Sequence, residues 1–579
     1  MSMSTHNLRL HRYVLGFSLA FCLVSGQNSH TYAEQMTGDH NVPVPIEIKH
    51  SNQNFQFATY YGDHMVLQRA PKQAVVWGYH PFTYVYVGVT VGNQTQYGLV
   101  NIQGIWSVTL DPVQDPGPYN ITARGLAGEI TLTDVLFGDV WICSGQSNME
   151  FTVRMGDNAT EEIQDANNYP HIRVFTVNQR AGSDIPLSDF TIKNSIKQYW
   201  SVASSDSIGG TDVEWGYFSA VCWLYGKYLY QKLGYPIGLV NTCWGGTPVE
   251  AWSSPDALLK CGLIRSAQIT TTNRLTDPDR SPDYKYSEAL ALSADHSGLW
   301  NAMVHPLLNM TIYGAIWYQG ESNAPSPHNY NCTFPSMISD WRAKFHASHG
   351  QNDPTFPFGF VMLAANEPDM TRFDGFPEIR WHQTADYGYV PNSKMVNTFM
   401  ANAMDLPGFL SSVGSIHPGD KQDVARRLVN ASLAVAYHHK DIPYQAPLPT
   451  GYKVDTEAHT LELVYNNGSD DLQLKTSVGF EICCSYGNQT GCGKQSWWVQ
   501  TSVDRITRST AILSTAPCPA RNVTGLRYAW RVTPCSFKAC AVYSVHSSFP
   551  ASPFLYTSPN FSKDGTYTID GTVPHPITV

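Results

Sequence analysis

The sequence predicts an α/β protein: a three-layer domain on a parallel sheet, between a small N-terminal β region and a cysteine-rich, mostly β C-terminal region. Short apolar runs rich in β-branched and aromatic residues alternate, from about residue 137 to 440, with stretches of helical period, the rhythm of parallel βαβ units. Before that span, strand-like runs are separated only by Gly, Pro and Asn. After it the helical period fades and Cys483, Cys484, Cys492, Cys518, Cys535 and Cys540 crowd together. The predicted division is therefore a leader over 1–26, an N-terminal β-sandwich-like domain over 55–136, the α/β domain over 137–440 and a β-rich region over 441–579.

Taken in order, Arg9, His11 and Arg12 precede an apolar segment, Tyr13 to Val24, that is closed by small Ser25 and Gly26. This is the layout of a secretory signal peptide, with the mature chain starting near Gln27. No later segment is apolar over a membrane-spanning length, so no membrane contact is expected after cleavage. Asn-x-Ser/Thr sequons recur from Asn93 to Asn560, as suits a glycosylated, lysosomal or secreted protein. In that compartment the C-terminal cysteines read as local disulfides, and losing Cys22 with the leader leaves an odd number. A net charge of −10 without a basic run argues against nucleic acid as a partner.

In the N-terminal region Ala74–Trp77, Val85–Val89 and Trp106–Leu110 are the predicted strands. The apolar run Val135–Cys143 is a buried strand that ends in Ser144-Gly145-Gln146-Ser147-Asn148, a turn able to project a side chain from the strand's carboxyl end. Ser219 caps a helix that Gly234 stops. Further strands are Ile237–Asn241, Ile312–Tyr318, Phe358–Leu363 and Met395–Met400, and Asp420 caps a helix carrying Val424, Leu428 and Ala431. The polar stretch from Thr270 to Ser297 reads as an exposed loop.

Three of these strand ends carry residues suited to acyl chemistry. Ser147 is the candidate nucleophile, and a hydroxyl at neutral pH needs a base, for which His417 beside Pro418 is the candidate. Gly245 and Gly246 allow a backbone N–H to approach an oxyanion, and Gln319 or Asn323 could add a side-chain donor; such donors are worth ~3 kcal/mol each. Each feature alone also fits an ordinary turn, helix start or satisfied strand end.

Four segments then resemble those of the sialate O-acetylesterases, a family of SGNH (GDSL-like) hydrolases: 138–149 around Ser147, 244–252 around Gly245-Gly246, 317–323 with Gln319 to Asn323, and Ser415-Ile416-His417-Pro418. The resemblance implies an SGNH-like fold and removal of O-acetyl groups from sialic acids or sialoglycans without metal or cofactor, with Ser147 as nucleophile, His417 as base and Gly245 or Gly246 in the oxyanion motif. One position departs from the superfamily pattern. An aspartate commonly stands three residues before the base, where this chain has Gly414. Asp405 is the first candidate for the orienting acid, Asp386 and Glu321 are others, and a backbone carbonyl is the remaining option. Arg380 is a candidate partner for a sialate carboxylate, against the alternative of a structural salt bridge. The other functional readings are a deacetylase of a different sugar such as xylan, and a secreted glycan-binding protein without turnover.

Overall fold

The structure, a computed structural model, describes residues 53–179, 182–191, 193–210, 215–263, 296–469, 471–486, 492, 496–518 and 522–569. The predicted leader, most of the predicted loop over 270–297 and the sequon at Asn488 lie outside the described residues.

A seven-stranded path forms the centre of the fold. In chain order its strands are β1 (Gly128–Gly145), β2 (Ile172–Val177), β3 (Ile196–Val202), β4 (Ile237–Cys243), β5 (Gly314–Tyr318), β6 (Phe358–Met362) and β7 (Thr398–Asn402). They lie side by side as β3-β2-β4-β1-β5-β6-β7, with β3 antiparallel to β2 and all other neighbours parallel. β2, β4, β5 and β6 are buried along their whole length; β5 and β6 accordingly read as apolar runs, whereas Arg173 and Thr176 interrupt β2, which the sequence reading did not pick out. The fold is thus mixed α/β with several sheets.

β1 is twice as long as its apolar run. Its first half alternates in burial and pairs with Tyr119–Gly125 in an antiparallel hairpin; its second half is fully buried between β4 and β5. The boundary drawn at 136/137 therefore falls inside one continuous strand. Burial on both faces marks 135–143 in the sequence, whereas the half-exposed part looks like any hairpin arm. Before it, Gln56–Phe57, Val75–Tyr79 and Ile105–Thr109 form a separate antiparallel sheet, while Tyr86–Val91, Gln94–Leu99 and Tyr119–Gly125 extend the central sheet through the hairpin with β1.

Helix α1 (Ser147–Glu150) follows β1 directly. α2 (Ala220–Leu233) starts at Ser219, whose hydroxyl accepts from the Cys222 N–H, and stops at Gly234 in the left-handed region. α3 (Lys421–Val435) starts at Asp420, whose carboxylate accepts from the Asp423 N–H, and packs against α2 and β7. In the C-terminal part a five-stranded, a four-stranded and a two-stranded sheet surround a second apolar core, which also takes in Trp381 and Met404 from the α/β part.

Five disulfides stand among the described residues. Three are the local C-terminal links Cys483–Cys492, Cys484–Cys518 and Cys535–Cys540; Cys261–Cys332 and Cys143–Cys222 lie in the α/β part, and Cys243 is free and buried. Cys143–Cys222 ties β1 to α2 across 79 residues of sequence. Replacing both cysteines with alanine is expected to cost about 2–4 kcal/mol, because the unfolded chain regains the freedom of that loop. A denaturant midpoint equal to that of the parent would contradict this.

Candidate active site

The register brings three strand ends to one level: Gly145 of β1 lies opposite Cys243 of β4 on one side and Tyr318 of β5 on the other. Open α/β sheets place their chemistry at such carboxyl ends. Gly145 takes φ 138°, and a Cβ there would sit 2.2 Å from the Tyr318 carbonyl oxygen, so only glycine lets the chain turn out of the sheet. Two residues later Ser147 opens α1 at the edge of a cleft of about 420 Å³, lined by Gln146, Ser147, Glu150, Trp215, Gly245, Gly246, Glu321, Ser322, Ile416 and His417.

The Ser147 hydroxyl lies 2.8 Å from His417 Nε2. On the far side of the ring, Nδ1 lies 2.9 Å from the Val413 carbonyl oxygen. A carbonyl only accepts, so Nδ1 carries the proton, and Nε2 is left as the acceptor facing the serine. The Trp215 ring meets the imidazole edge-on at 5.4 Å. Burial holds the imidazole below its ordinary pKa; the Val413 carbonyl opposes this and the charge of Lys421 adds to it.

Asp405, the first candidate for the orienting acid, makes no hydrogen bond to His417 among the described residues; the atom facing Nδ1 is the Val413 carbonyl oxygen. Asp405 is fully buried and accepts from Arg427 Nη1 at 2.6 Å, Arg427 Nη2 at 3.1 Å and the Tyr543 hydroxyl at 3.0 Å. Asp386 pairs with His382 and Asn331. Glu321 accepts from Asn148. Each carboxylate found a cation or amide elsewhere in the fold, and the hydrogen bond at Nδ1 goes to the loop that carries His417 itself.

The expected oxyanion donors divide similarly. Gln319 Nε2 donates to the Thr247 carbonyl and to Asn323 Oδ1, and Asn323 Nδ2 donates to Glu250. Both side chains brace the loop after β4 and neither lines the cleft. The Gly245 N–H donates to Glu150 Oε2 at 2.7 Å, so it too is engaged. Burial raises the Glu150 carboxyl, and this N–H pulls it back down. A Cβ on Gly245 would come 3.0 Å from Glu150 Oε2 and 3.2 Å from Ser147 Cβ, so the position is tight against both. Gly246, left-handed at φ 73°, remains at the cleft wall.

Among the described residues Arg380 forms no salt bridge, and it does not line the cleft. It is fully buried, and its guanidinium donates to the carbonyls of Leu363, Ala364, Arg531 and Val532, with burial lowering its pKa to about 9.

Sequence reasoning passed over Gln146, Asn148, Glu150, Trp215 and Lys421. Gln146 Oε1 accepts from the N–H groups of Gly320 and Ser322, holding the loop after β5 against the nucleophile turn. Gln146, Asn148 and Glu150 stand in the quoted serine motif, so a signal was present without an assignment. Trp215 and Lys421 reach the site only through the tertiary fold.

Known proteins match this chain closely. Residues 137–418 match the family described as carbohydrate esterase, sialic acid-specific acetylesterase, and residues 450–558 match the sialate O-acetylesterase C-terminal domain. Sialate O-acetylesterase of Mus musculus is 42% identical over 523 residues, covering 86% of this chain and 94% of that protein. The Homo sapiens protein of the same name is 42% identical over 518 residues, covering 86% and 92%. Among solved structures, a carbohydrate acetylesterase from Xanthomonas citri superimposes with a TM-score of 0.68 at 26% identity, covering 86% of this chain and 99% of that one. With its motifs gathered at one cleft and both family regions matched in order, the chain belongs to the sialate O-acetylesterase family.

Proposed function

We propose that this protein is a serine esterase that removes O-acetyl groups from acetylated sialic acids through an acetyl-serine intermediate, without metal or cofactor. The observation that carries the reading is the 2.8 Å contact between Ser147 Oγ and His417 Nε2 at the three aligned strand ends. Ser147 attacks the acetyl carbonyl carbon while His417 Nε2 takes the hydroxyl proton. The tetrahedral intermediate collapses as the bond to the sugar oxygen breaks, and His417 returns the proton to that oxygen. Water then attacks the acetyl-serine with His417 again accepting the proton. Acetate leaves and Ser147 recovers its hydrogen.

The Val413 carbonyl supplies what the third member of a triad supplies, a fixed ring orientation and a fixed tautomer. The oxyanion is met by backbone N–H groups: that of Ser147, which as the first residue of α1 has no intrahelical acceptor, and that of Gly246. Among the described residues the cleft is lined by the acidic side chains of Glu150 and Glu321 beside Ser147 and His417.

Residues 137–440 carry this chemistry in an SGNH-type three-layer arrangement, a reading supported by the parallel strand order and by α2 and α3 packing over it. The disulfides suit an oxidising compartment, and among the described residues no helix is long and apolar enough to cross a membrane. The protein is accordingly lysosomal or secreted.

The test compares acetate release from 9-O-acetylated sialic acid and from acetylated xylan. Preference for the sialic acid is expected; release from xylan alone would reassign the sugar, and release from neither would leave a binding protein. The lowered imidazole pKa adds a second expectation. The base works only when neutral, so kcat/KM should hold as pH falls past the ordinary imidazole value and decline only below it. An acid limb at or above pH ~6.5 would contradict the burial argument.

A further inference from the structure

A buried polar group behind the dyad has no part in the steps above. Asn148 is fully buried and all three of its bonds are to functional segments. Nδ2 donates to Glu321 Oε1 at 2.6 Å and to the Ile416 carbonyl at 2.8 Å, and Oδ1 accepts from Lys421 Nζ at 2.6 Å. Residue 148 follows the nucleophile, and residue 416 precedes the base. One amide therefore joins the backbone on either side of the 2.8 Å contact. Lys421 is itself fully buried, at the first turn of α3, with its ammonium 4.5 Å from the Phe151 ring centroid and 5.2 Å from that of Tyr318. It makes no ion pair among the described residues. The groups that face it are Glu321, Asp420, Asp157 and, across the site, His417.

An unpaired buried lysine is costly and persists where the surrounding structure gives it work. We propose that Asn148 is a positioning residue that clamps the nucleophile turn to the base loop, and that Lys421 anchors the clamp and sets its ammonium one hydrogen-bonded amide away from the loop that carries His417. The donor count supports this. With Lys421 fixing Oδ1, the amide cannot flip, so both N–H bonds point at the base loop and the β5 loop. Burial lowers the Lys421 amine to about 7, so it is cationic over the acid range in which His417 would otherwise take a proton. A cation there disfavours the imidazolium and extends activity to lower pH.

The inference rests on Ser147 and His417 being nucleophile and base, and the test separates the two claims. Wild type, Asn148→Ala, Asn148→Asp and Lys421→Met are compared with Ser147→Ala and His417→Ala. Hydrolysis of a chromogenic acetyl ester, labelling of Ser147 by a fluorophosphonate, thermal unfolding and the pH profile of kcat/KM are measured. Asn148→Ala and Asn148→Asp are expected to lower kcat and the labelling rate together by about 100-fold, with KM within about threefold. Asn148→Asp keeps the size of the side chain and its bond from Lys421 but turns the atom facing Glu321 and the Ile416 carbonyl into an acceptor, so it removes the two donated bonds with the anchor kept, and thermal unfolding reports whether the fold is retained. Lys421→Met is expected to move the acid limb upward by about 0.5–1 pH unit, a shift that lost packing alone would not produce. Wild-type kcat and labelling in Asn148→Asp, or an unmoved limb in Lys421→Met, would overturn the proposal while an inactive Ser147→Ala left the esterase reading intact. Wild-type turnover in Ser147→Ala or His417→Ala would instead remove the reading beneath it.

Discussion

Replacing Ser147 with alanine is expected to abolish ester turnover, by about 10⁴-fold or more, with no loss of stability. Ser147 is partly exposed at the cleft, opens a helix and makes its side-chain bond to His417. Alanine suits a helix start as well as serine does and leaves no buried group unpaired. Ser144 is the control. It lies fully buried in β1 with a hydroxyl that finds no partner among the described residues, so Ser144→Ala removes an unsatisfied polar atom and should keep both activity and stability. Turnover is measured as acetate release by purified protein, with unfolding followed in parallel. An active Ser147→Ala, or an inactive but folded Ser144→Ala, would move the nucleophile.

Asp405→Asn is expected to do the reverse: cost about 3 kcal/mol of stability and leave turnover per folded molecule within a few-fold. Asp405 neutralises Arg427, which also donates to the Asn402 carbonyl, and it accepts from Tyr543. Removing the carboxylate leaves a buried guanidinium without its counter-charge, and breaking such a pair is far costlier than never having built it. The measurements are a denaturant midpoint and kcat normalised to fluorophosphonate-titrated sites. If turnover fell by orders of magnitude in protein of unchanged stability, the Val413 carbonyl would not be the group that orients His417.

That contrast shows where sequence reading stopped. The hydroxyl and imidazole that meet at the cleft, the strand ends and two helix caps at Ser219 and Asp420 are legible because each depends on local chemistry: a glycine before a hydroxyl, a proline beside a histidine, a polar residue before a helical period. Asp405 looked well placed because it lies near His417 in sequence, but its pairing was decided by Arg427 on α3 and by Tyr543, 138 residues away. Gly245 looked like a donor because glycine permits close approach. Which acceptor its N–H meets depends on where α1 carries Glu150. The continuous run of β1 was half visible, since only the part buried on both faces departs from ordinary alternation. Trp215 and Lys421 carried no local signal at all.

Arg380 has a consequence in time. Two of its four carbonyl acceptors, Arg531 and Val532, lie 151 and 152 residues further along the chain. At about 5–20 residues per second, a ribosome needs roughly 8–30 s to reach them after Arg380 is made. During that interval the guanidinium has only the Leu363 and Ala364 carbonyls of the finished set, and it must keep water around its other donors. The segment carrying Ser147 and His417 therefore leaves the ribosome with a hydrated charge where its finished interior is dry, and that interior closes only when the C-terminal strands arrive.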